Sequence, residues 1–573
     1  MSNQNLLTSF LKAVERLRHR TCLKYKKQGS WKTLSWIQVR RLVRDLALGL
    51  QRIGISHGDR IALLSNTRYE WTIADMAVLS IGGVTVPIYP SSTSEQASYI
   101  LKNSGAKAVF VEDGVQLDKI LKIKKALPAL RKVVVFSGAD LPALPALKDV
   151  FHLTDLLKME KFGESTGEEK WLEGIRAIRT AQMATIVYTS GTTGPPKGVM
   201  LTHRNFMSEI QSLMKSFDLN ERIVGLFFLP LAHIFGRTMQ FWQLAAGFVH
   251  AYGQLDSVMD DLRVIRPHGF VSVPRIFEKI HEKILSQWHE ASWLKQRVIS
   301  WGPFAHLIVF PRIRALFGGR ARFAISGGAP LSKEVAEFFH AAGVLILEGY
   351  GLTETTAGIY INTEKNYRFG TVGKALPRVK LKLARDGEIL VKGPSVFVGY
   401  YGDPKATRQA FTRDGWFKTG DIGKIDRDGY LKITDRKKDL IITSAGKNIA
   451  PQNIEKLLMT IPYISHAMVS GDGRNFLTAL VTLNQDAVQG YARRRNIHIN
   501  GYRKLAKHPE IYRLVRQAVE EKNRQLASFE TIKKFVILEN DFSPSTGELT
   551  PTLKLKRKVV GEKYKDLIDQ LYH

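Results

Sequence analysis

A short segment rich in glycine and hydroxyl side chains follows an apolar run and leads to a lysine. The residues after the run ATIVY read TSGTTGPPKG, from Thr189 to Gly198. Glycines let backbone N–H groups turn toward an anion, hydroxyls add donors and Lys197 adds positive charge. No glycine precedes Lys197 and no Ser or Thr follows it, so the segment is not a Walker A loop. It predicts a phosphate-binding loop, with a surface turn as the alternative. Its candidate residues are Thr189, Ser190, Gly191, Thr192, Thr193, Gly194 and Lys197.

Strands and helices that would position this loop alternate along the chain. Short β-rich apolar runs are separated by amphipathic helical stretches, a pattern typical of the α/β class. Strands are predicted at RIALLS (60–65), VTVPIY (84–89), AVFVE (108–112), KVVVF (132–136), ATIVYT (184–189) and RFAIS (322–326).

The pattern changes after about residue 380 to short β segments punctuated by glycine. Asp428-Gly429 is typical of a hairpin turn. A smaller α/β region follows DRKKD (435–439), with strands near HAMVSGD and LTALVTL and helices around 500–525. Because 573 residues are too many for one core, the sequence predicts domains at 1–435 and 436–573.

The chain is strongly basic, with 84 Lys and Arg against 53 Asp and Glu and a formal net charge of +31. Such an excess indicates contact with an anion: nucleic acid, anionic lipid or a phosphorylated small molecule. No recognition helix, zinc finger or RNA-stacking signature accompanies the basic residues, so no nucleic acid partner is predicted. A solvated or membrane-facing basic surface is the simpler interpretation.

Cys22 is the single cysteine, which excludes an internal disulfide and argues against a cysteine metal site. No apolar run approaches the length of a spanning helix, and the N-terminal residues lack a secretory core. We therefore expect a cytoplasmic protein, with peripheral contact at the inner face of an anionic membrane as an option. The sequence leaves homo-oligomer formation open.

Residues 189–198 resemble the phosphate-binding signature of the AMP-binding, acyl-adenylate-forming superfamily, which includes acyl-CoA synthetases, firefly-type luciferases and peptide-synthetase adenylation domains. Further segments resemble that superfamily's motifs in order, from about residue 185 to the end of the chain. They are PLAHIFG (230–236), SGGAPL (326–331), YGLTET (350–355), WFKTGD (416–421), DRKKD (435–439) and GKNIAP (446–451). The resemblance implies a large N-terminal domain of several β-sheets with packed helices and a small mobile C-terminal α/β domain.

The resemblance gives the YGLTET segment a nucleotide-binding role. Tyr350, next to Gly351, would stack on adenine, Thr353 would touch phosphate and Glu354 would bind Mg²⁺. A hard cation prefers carboxylate and phosphate oxygens, and it neutralises charge on the phosphoryl group. The alternative is that Thr353 and Glu354 cap a helix.

Four other residues receive roles in the same way. His233 would border the carboxylate pocket, and Gly328 would lie in the loop that lines the acyl and adenine pockets. Asp421 would accept hydrogen bonds from both ribose hydroxyls, and Arg436 would reach the ribose or phosphate. The alternatives are a core histidine, a strand-to-helix turn, a turn aspartate and a solvated charged linker.

The segment LTPTLKLKR (549–557) resembles the one that carries the catalytic lysine. Many relatives have glycine immediately before that lysine, whereas this chain has Leu553. The choice between Lys554 and Lys556 therefore stays open, and Lys554 is preferred because it keeps the spacing to the preceding threonine and the following basic run.

The resemblance implies a ligase that uses ATP and Mg²⁺ to convert a fatty acid to acyl-AMP, releases pyrophosphate, and passes the acyl group to coenzyme A. The apolar stretches 230–245 and 271–280 and the KNIAPQNIE segment resemble long-chain fatty acyl-CoA synthetases. One alternative is a fatty acyl-AMP ligase that delivers the acyl group to a carrier protein. Another is a non-catalytic basic lipid-binding protein on the same fold.

Overall fold

Buried β-branched runs form the central strands of an eight-stranded sheet. The computed structural model of the protein describes residues 4–136, 149–159, 165–189, 195–289, 303–444, 447–497, 499, 501–550 and 554–573. In spatial order the strands are Gly399–Tyr400, Lys197–Thr202, Met183–Thr189, Val84–Ile88, Arg60–Leu64, Ala108–Val111, Lys132–Val135 and Val150–His152. The strands from Met183–Thr189 onward pair in parallel, and the first two pair antiparallel. Parallel strands with apolar side chains on both faces are typical of a sheet covered by helices on both sides.

A second, nine-stranded sheet carries the motif segments of the middle of the chain. Its spatial order is Lys374–Ala375, Ala357–Ile361, Leu345–Leu352, Phe323–Gly327, Gly269–Ser272, Val224–Phe227, Val249–Tyr252, Thr21–Lys27 and Ser30–Ser35. Pairing is parallel in the middle and antiparallel at both ends.

One helix of this part of the chain begins directly after the strand that follows the predicted phosphate-binding segment. Thr202 ends the strand Lys197–Thr202 and caps the helix His203–Ser216. Its hydroxyl accepts from the Asn205 N–H at 3.3 Å, while the Asn205 amide oxygen accepts from the Thr202 N–H at 2.7 Å. This capping box satisfies two backbone donors at the start of the helix. The other helices here are Leu6–Leu17, Trp36–Arg52, Tyr69–Ser80, Ser94–Ser104, Gly114–Lys124, Leu153–Lys158, Ser165–Ala177, Ile234–Ala246, Val258–Ile265, Pro303–Leu316, Lys333–Ala341 and Pro404–Ala410.

A four-stranded sheet follows the order Lys380–Leu383, Glu388–Lys392, Phe417–Ile425 and Leu431–Arg436. The last two strands form an antiparallel hairpin. Gly429 at its turn has φ +85°, a conformation that favours glycine. The predicted Asp428-Gly429 hairpin is confirmed.

The C-terminal part of the chain has its own core, formed by residues that include Ile454, Leu458, Val481 and Val515. Its strands are Ile464–Ser470, Leu477–Leu483 and Ile532–Ile537 in one sheet, and Ile441–Ile442 and Asn448–Ile449 in another. Its helices are Pro451–Met459, Gln485–Arg494, Tyr502–Ala506, Pro509–Asn523, Arg557–Lys563 and Lys565–Gln570, and the helix Pro274–His289 precedes the 303–316 segment.

The chain divides into two compact units. Unit 1 comprises Met1–Pro274, Trp301–Leu381 and Val391–Lys418, and unit 2 comprises Arg275–Ser300, Lys382–Leu390 and Thr419–His573. The predicted domain limits, 1–435 and 436–573, stay a prediction. The predicted α/β class is confirmed, and each predicted strand coincides with an observed one to within two residues at either end. Within the described ranges, no helix is both long and apolar enough to cross a membrane.

Candidate active site

A hairpin in unit 1 brings the two ends of the predicted phosphate-binding segment together. The strands Met183–Thr189 and Lys197–Thr202 are antiparallel, and Thr189 lies opposite Lys197 in their register. The intervening predicted residues Ser190, Gly191, Thr192, Thr193 and Gly194 lie outside the described residues. A hydroxyl and an ammonium group therefore flank the start and end of this loop.

Tyr400 connects this hairpin to the predicted metal-binding carboxylate. Its hydroxyl donates a hydrogen bond to Glu354 Oε1 at 2.9 Å, and its ring centroid lies 5.1 Å from Lys197 Nζ. Burial and the nearby Glu354 charge raise the pKa of Tyr400, so the phenol stays a neutral donor. The backbone carbonyl of Glu354 also accepts from the Phe397 N–H at 2.8 Å. The structure thus brings Lys197 and Glu354 to one aromatic residue.

Sequence reasoning missed Tyr400. It belongs to the two-residue strand Gly399–Tyr400, which pairs with Lys197–Thr202. The one signal that could have found it is the aromatic pair in GYYG, flanked by glycines.

The YGLTET segment spans the end of the strand Leu345–Leu352 and a 3-10 turn over Thr353–Thr355. A Cβ atom on Gly351 would lie 1.5 Å from the Ala357 carbonyl oxygen, so no other residue fits there. The turn is three residues long and has Leu352 at its N-cap, so Thr353 and Glu354 do not cap a helix. Tyr350 is largely buried.

His233 and Gly328 follow different strands of the nine-stranded sheet, Val224–Phe227 and Phe323–Gly327. His233 caps the helix Ile234–Ala246, and its Nδ1 accepts from the Phe235 N–H at 3.2 Å. Gly328 follows the strand Phe323–Gly327 with φ +84°. The Phe235 ring would lie 3.4 Å from a Cβ atom on Gly327. The two predicted pocket residues therefore belong to neighbouring loops of unit 1.

In unit 2 the two predicted ribose-binding residues face each other across a hairpin. Asp421 and Arg436 are partners in the register of the strands Phe417–Ile425 and Leu431–Arg436. Arg436 Nε lies 3.4 Å from Asp421 Oδ1, and Asp421 is buried. The pair places a carboxylate and a guanidinium on one surface of the sheet.

Lys554 is close enough to this pair to interact with it electrostatically. Burial, and to a smaller extent the Arg436 charge, lower the pKa of Lys554 to about 8, while the Asp421 charge opposes that shift. Its backbone is fixed by Thr550, whose hydroxyl accepts from the Lys554 N–H at 2.9 Å. Lys556 instead occupies the N-cap of the helix Arg557–Lys563.

An ion pair between Arg557 and the buried Glu455 anchors the residues that follow Lys554, and sequence reasoning missed it. Arg557 donates to Glu455 at 2.5 Å and to the Val469 carbonyl at 2.7 Å. Glu455 also accepts from the Val469 N–H at 2.6 Å. Arg557 therefore connects the segment carrying Lys554 to the core of unit 2.

The charge run at 435–439 is more than a solvated linker. Lys437 lies 2.7 Å from Asp386 and 2.8 Å from Glu388, and Glu388 also accepts from the Gly420 N–H at 3.1 Å. Lys437 therefore fixes this run to a neighbouring strand. Gly446 in the next predicted motif lies outside the described residues.

Unit 1 places Lys197 and the Glu354 carboxylate beside Tyr400, and unit 2 places Lys554 near the Asp421–Arg436 pair. Cations and carboxylates are the residue types that nucleotide-binding enzymes use around phosphate groups and metal ions. The chain belongs to the AMP-binding enzyme family. The AMP-binding enzyme model matches residues 10–401, and the model of the AMP-binding enzyme C-terminal domain matches residues 438–573. The predicted family is confirmed.

Curated relatives extend over nearly the whole chain. The chain is 38% identical to the long-chain-fatty-acid–CoA ligase FadD15 of Mycobacterium bovis, over 95% of this chain and 93% of that protein. It is 30% identical to the human long-chain-fatty-acid–CoA ligase ACSBG1, over 98% of this chain and 84% of that protein.

Solved structures share the fold. The adenylation domain of a carboxylate reductase from Mycobacterium chelonae matches with a TM-score of 0.81 at 22% identity, covering 100% of this chain and 92% of that chain. The anthranilate CoA ligase AuaEII in complex with anthranoyl-AMP matches with a TM-score of 0.78 at 18% identity, and the match covers 99% of this chain and 98% of that chain. These likenesses confirm the predicted two-part adenylate-forming architecture.

Proposed function

We propose that this protein is an ATP-dependent fatty acid–CoA ligase. It converts a long-chain fatty acid to acyl-AMP with release of pyrophosphate, and then transfers the acyl group to coenzyme A with release of AMP. The observation that carries this proposal is the grouping of Lys197, Tyr400 and Glu354 beside the predicted phosphate loop. The long-chain substrate is supported by the relatives, which are long-chain-fatty-acid–CoA ligases.

The first half-reaction gives the acyl group a good leaving group, AMP. A carboxylate is a poor acyl donor, so one of its oxygens attacks the α-phosphorus of ATP and pyrophosphate leaves. Such a step needs positioning and charge neutralisation more than covalent help from the protein. Lys197 would neutralise the outer phosphates, and Lys554 would neutralise charge that develops during adenylation.

Glu354 would bind Mg²⁺ together with phosphate oxygens. Mg²⁺ commonly binds through one or two carboxylates plus substrate phosphates. That preference fits Glu354, which would supply one carboxylate while the substrate supplies the phosphate oxygens. When bound, the ion neutralises phosphate charge, while Tyr400 holds the Glu354 carboxylate in place.

The remaining site residues keep the roles that the family resemblance implies. Asp421 and Arg436 would bind the ribose and phosphate, Tyr350 and Gly351 the adenine, and Thr353 a phosphate oxygen. His233 and Gly328 would border the acyl group. The hydrogen bonds from the loop to phosphate would be donated by Thr189, Ser190, Gly191, Thr192, Thr193 and Gly194.

Product analysis tests the proposal. The purified protein is incubated with ATP, Mg²⁺ and saturated fatty acids of graded length, with and without coenzyme A, and products are identified by mass spectrometry. We expect acyl-CoA and AMP when coenzyme A is present. Acyl-AMP that persists with coenzyme A would favour the carrier-protein alternative, and no nucleotide chemistry with any acid would favour a binding protein. Glu354→Ala, prepared identically, controls for contaminating ligase.

We propose in addition that the protein contacts anionic membranes from the cytoplasmic side. The formal net charge of +31 supports this contact, because basic surfaces are attracted to anionic lipid. Sedimentation with phosphatidylserine-containing vesicles should retain the protein at low salt and release it at high salt. Equal sedimentation with purely zwitterionic vesicles would contradict the proposal.

A further inference from the structure

The helix Ser94–Ser104 of unit 1 is capped at both ends. The Thr93 hydroxyl accepts from the Gln96 N–H at 3.2 Å, and the Gln96 side chain accepts from the Thr93 N–H at 3.1 Å. Gly105 ends the helix with φ +61°, a left-handed conformation that favours glycine. The buried residues of the helix are Ala97, Ile100, Leu101 and Ser104. Two caps and a buried face therefore hold this helix in place.

Two side chains of the helix bond to the two ends of the predicted phosphate-binding segment. The Tyr99 hydroxyl donates to the carbonyl of Pro196, the residue before Lys197, at 3.1 Å. Asn103 Oδ1 accepts at 2.6 Å from the hydroxyl of Tyr188, the residue that precedes the segment. Because Tyr99 and Asn103 are four residues apart, they lie on the same face of the helix. One helix face therefore holds both ends of the segment.

The aromatic rings at these two contacts also pack together. The ring centroids of Tyr99 and Tyr188 are 6.4 Å apart at an interplanar angle of 86°, an edge-to-face arrangement. Gly198 is opposite Tyr188 in the hairpin register. A Cβ atom on Gly198 would lie 2.7 Å from Ile186 Cγ2 and 3.2 Å from Tyr188 Cζ. The glycine therefore leaves the space that the Tyr188 ring needs.

We propose that Tyr99 and Tyr188 are positioning residues for the outer phosphates of ATP. Their hydroxyl groups fix to the helix the two strand ends that carry Thr189 and Lys197, so the Lys197 ammonium group is held where those phosphates bind. A charge that is already in place costs no reorganisation when the nucleotide arrives. This inference rests on the proposed function and deepens it, because neither tyrosine belongs to the family motifs described above.

Steady-state kinetics of variants that lack these hydroxyl groups test the proposal. Tyr99→Phe and Tyr188→Phe each keep the ring and lose one hydrogen bond. We expect each to raise KM for ATP in ATP–pyrophosphate exchange about two- to tenfold, the effect of one neutral hydrogen bond, and the double variant to raise it further. KM for the fatty acid should stay at the wild-type value. The rate of thioester formation from supplied acyl-AMP should also stay unchanged, because that step uses no outer phosphate.

Tyr572→Phe is the matched control for the loss of a hydroxyl group. The Tyr572 hydroxyl donates to the Ser470 carbonyl at 3.1 Å in unit 2, the same length as the bond from Tyr99. This variant should leave KM for ATP unchanged. A wild-type KM for ATP in the double variant would overturn the inference, and so would equal losses in exchange and thioester formation. Thermal unfolding verifies that each variant is folded, and the single variants are compared if the double variant does not fold.

Equilibrium binding of nucleotides separates this inference from the proposed function. Without fatty acid, the Kd of ATP should rise in the double variant while the Kd of AMP should not, because AMP lacks the outer phosphates. Equal changes for the two nucleotides would contradict the positioning role. If the wild-type protein binds ATP but activates no acid, the proposed function fails, and the binding comparison still decides the role of the two tyrosines. A wild-type protein that binds no ATP would overturn both.

Discussion

The Tyr400 hydroxyl lies 2.9 Å from Glu354 Oε1 and donates a hydrogen bond to it. The same tyrosine offers its ring to Lys197, 5.1 Å from the ring centroid. One side chain therefore orients a carboxylate through its polar end and contacts a cation through its aromatic face. This arrangement ties the metal-binding candidate to the phosphate-binding candidate.

Tyr400→Phe should weaken Mg²⁺ binding more than it weakens folding. The variant keeps the ring, which packs 4.9 Å from Phe397, but loses the hydrogen bond to Glu354. A hydrogen bond to a charged group contributes about 1.5–3 kcal/mol, so we expect the Mg²⁺ concentration for half-maximal ATP–pyrophosphate exchange to rise about tenfold or more. Tyr401→Phe is the control and should behave like wild type. Identical Mg²⁺ dependence in both variants would contradict the role of Tyr400.

Arg237 and Asp75 form a fully buried ion pair in unit 1. Arg237 Nε donates to Asp75 Oδ2 at 3.0 Å, and Asp75 also accepts from Gln240 at 3.0 Å and from Thr85 at 2.7 Å. Both members of the pair are inaccessible to solvent. Removing one partner leaves an uncompensated buried charge, which costs about 3–5 kcal/mol. We expect Asp75→Ala to lower the free energy of unfolding by that amount in urea titrations.

The exposed pair Arg263–Asp260, at 3.7 Å, provides the control for that experiment. Asp260→Ala should change the free energy of unfolding by less than about 1 kcal/mol, because water already solvates both groups. The double variant Asp75→Leu with Arg237→Met should recover much of the loss. The single variants Asp75→Leu and Arg237→Met complete this cycle, and a loss in the double variant equal to the sum of their separate losses would show that the pair is not coupled.

Arg557→Met should destabilise unit 2 and reduce adenylation through the position of Lys554. The substitution leaves the buried Glu455 without its cation and removes the bond to the Val469 carbonyl. We expect the free energy of unfolding of unit 2 to fall by about 3 kcal/mol. Lys558→Met removes the exposed pair with Glu562 at 3.7 Å and should shift it by less than about 0.5 kcal/mol. If both variants unfold alike, Arg557 does not anchor this segment.

Local signals and contacts between distant residues differ in how well the sequence predicts them. The strand at 84–88 and the turn at Gly429 could be predicted, because apolar runs and glycine turns are properties of neighbouring residues. Tyr400 and Glu354 are 46 residues apart and Arg557 and Glu455 are 102 apart. Their contacts depend on how the strands and helices assemble, so spacing along the chain does not reveal them.

Burial of single charged residues is also hard to predict from sequence, as Glu209 on the helix His203–Ser216 shows, because it is 1% exposed. A glutamate on an amphipathic helix is normally exposed, and nothing in the flanking sequence indicates that this one is buried. The motif residues Asp421 and Arg436 were predicted through the family resemblance, and the hairpin register then explains why they lie together. The sequence therefore identifies motif residues more readily than the side chains that support them.

The pH dependence of adenylation should distinguish Lys554 from Lys556. Lys554 has a pKa of about 8, lowered from 10.5 by burial and by Arg436. Its charged form is therefore present below pH 8 and is lost as the pH rises through that value. Because adenylation would use the charged amine, ATP–pyrophosphate exchange should fall on the alkaline side with an apparent pKa near 8. Lys554→Arg should remove that fall, since a guanidinium stays protonated.

Lys554→Ala should reduce adenylation about a hundredfold or more, in keeping with loss of a charge that stabilises the transition state. Thioester formation from supplied acyl-AMP should change much less, because the α-phosphorus has already reacted. Lys556→Ala is the matched control, since Lys556 lies two residues from Lys554 in the same segment, at the N-cap position of the helix Arg557–Lys563. Equal losses in both half-reactions would refute the assignment of Lys554, and a selective loss of adenylation in Lys556→Ala would transfer the role to that lysine.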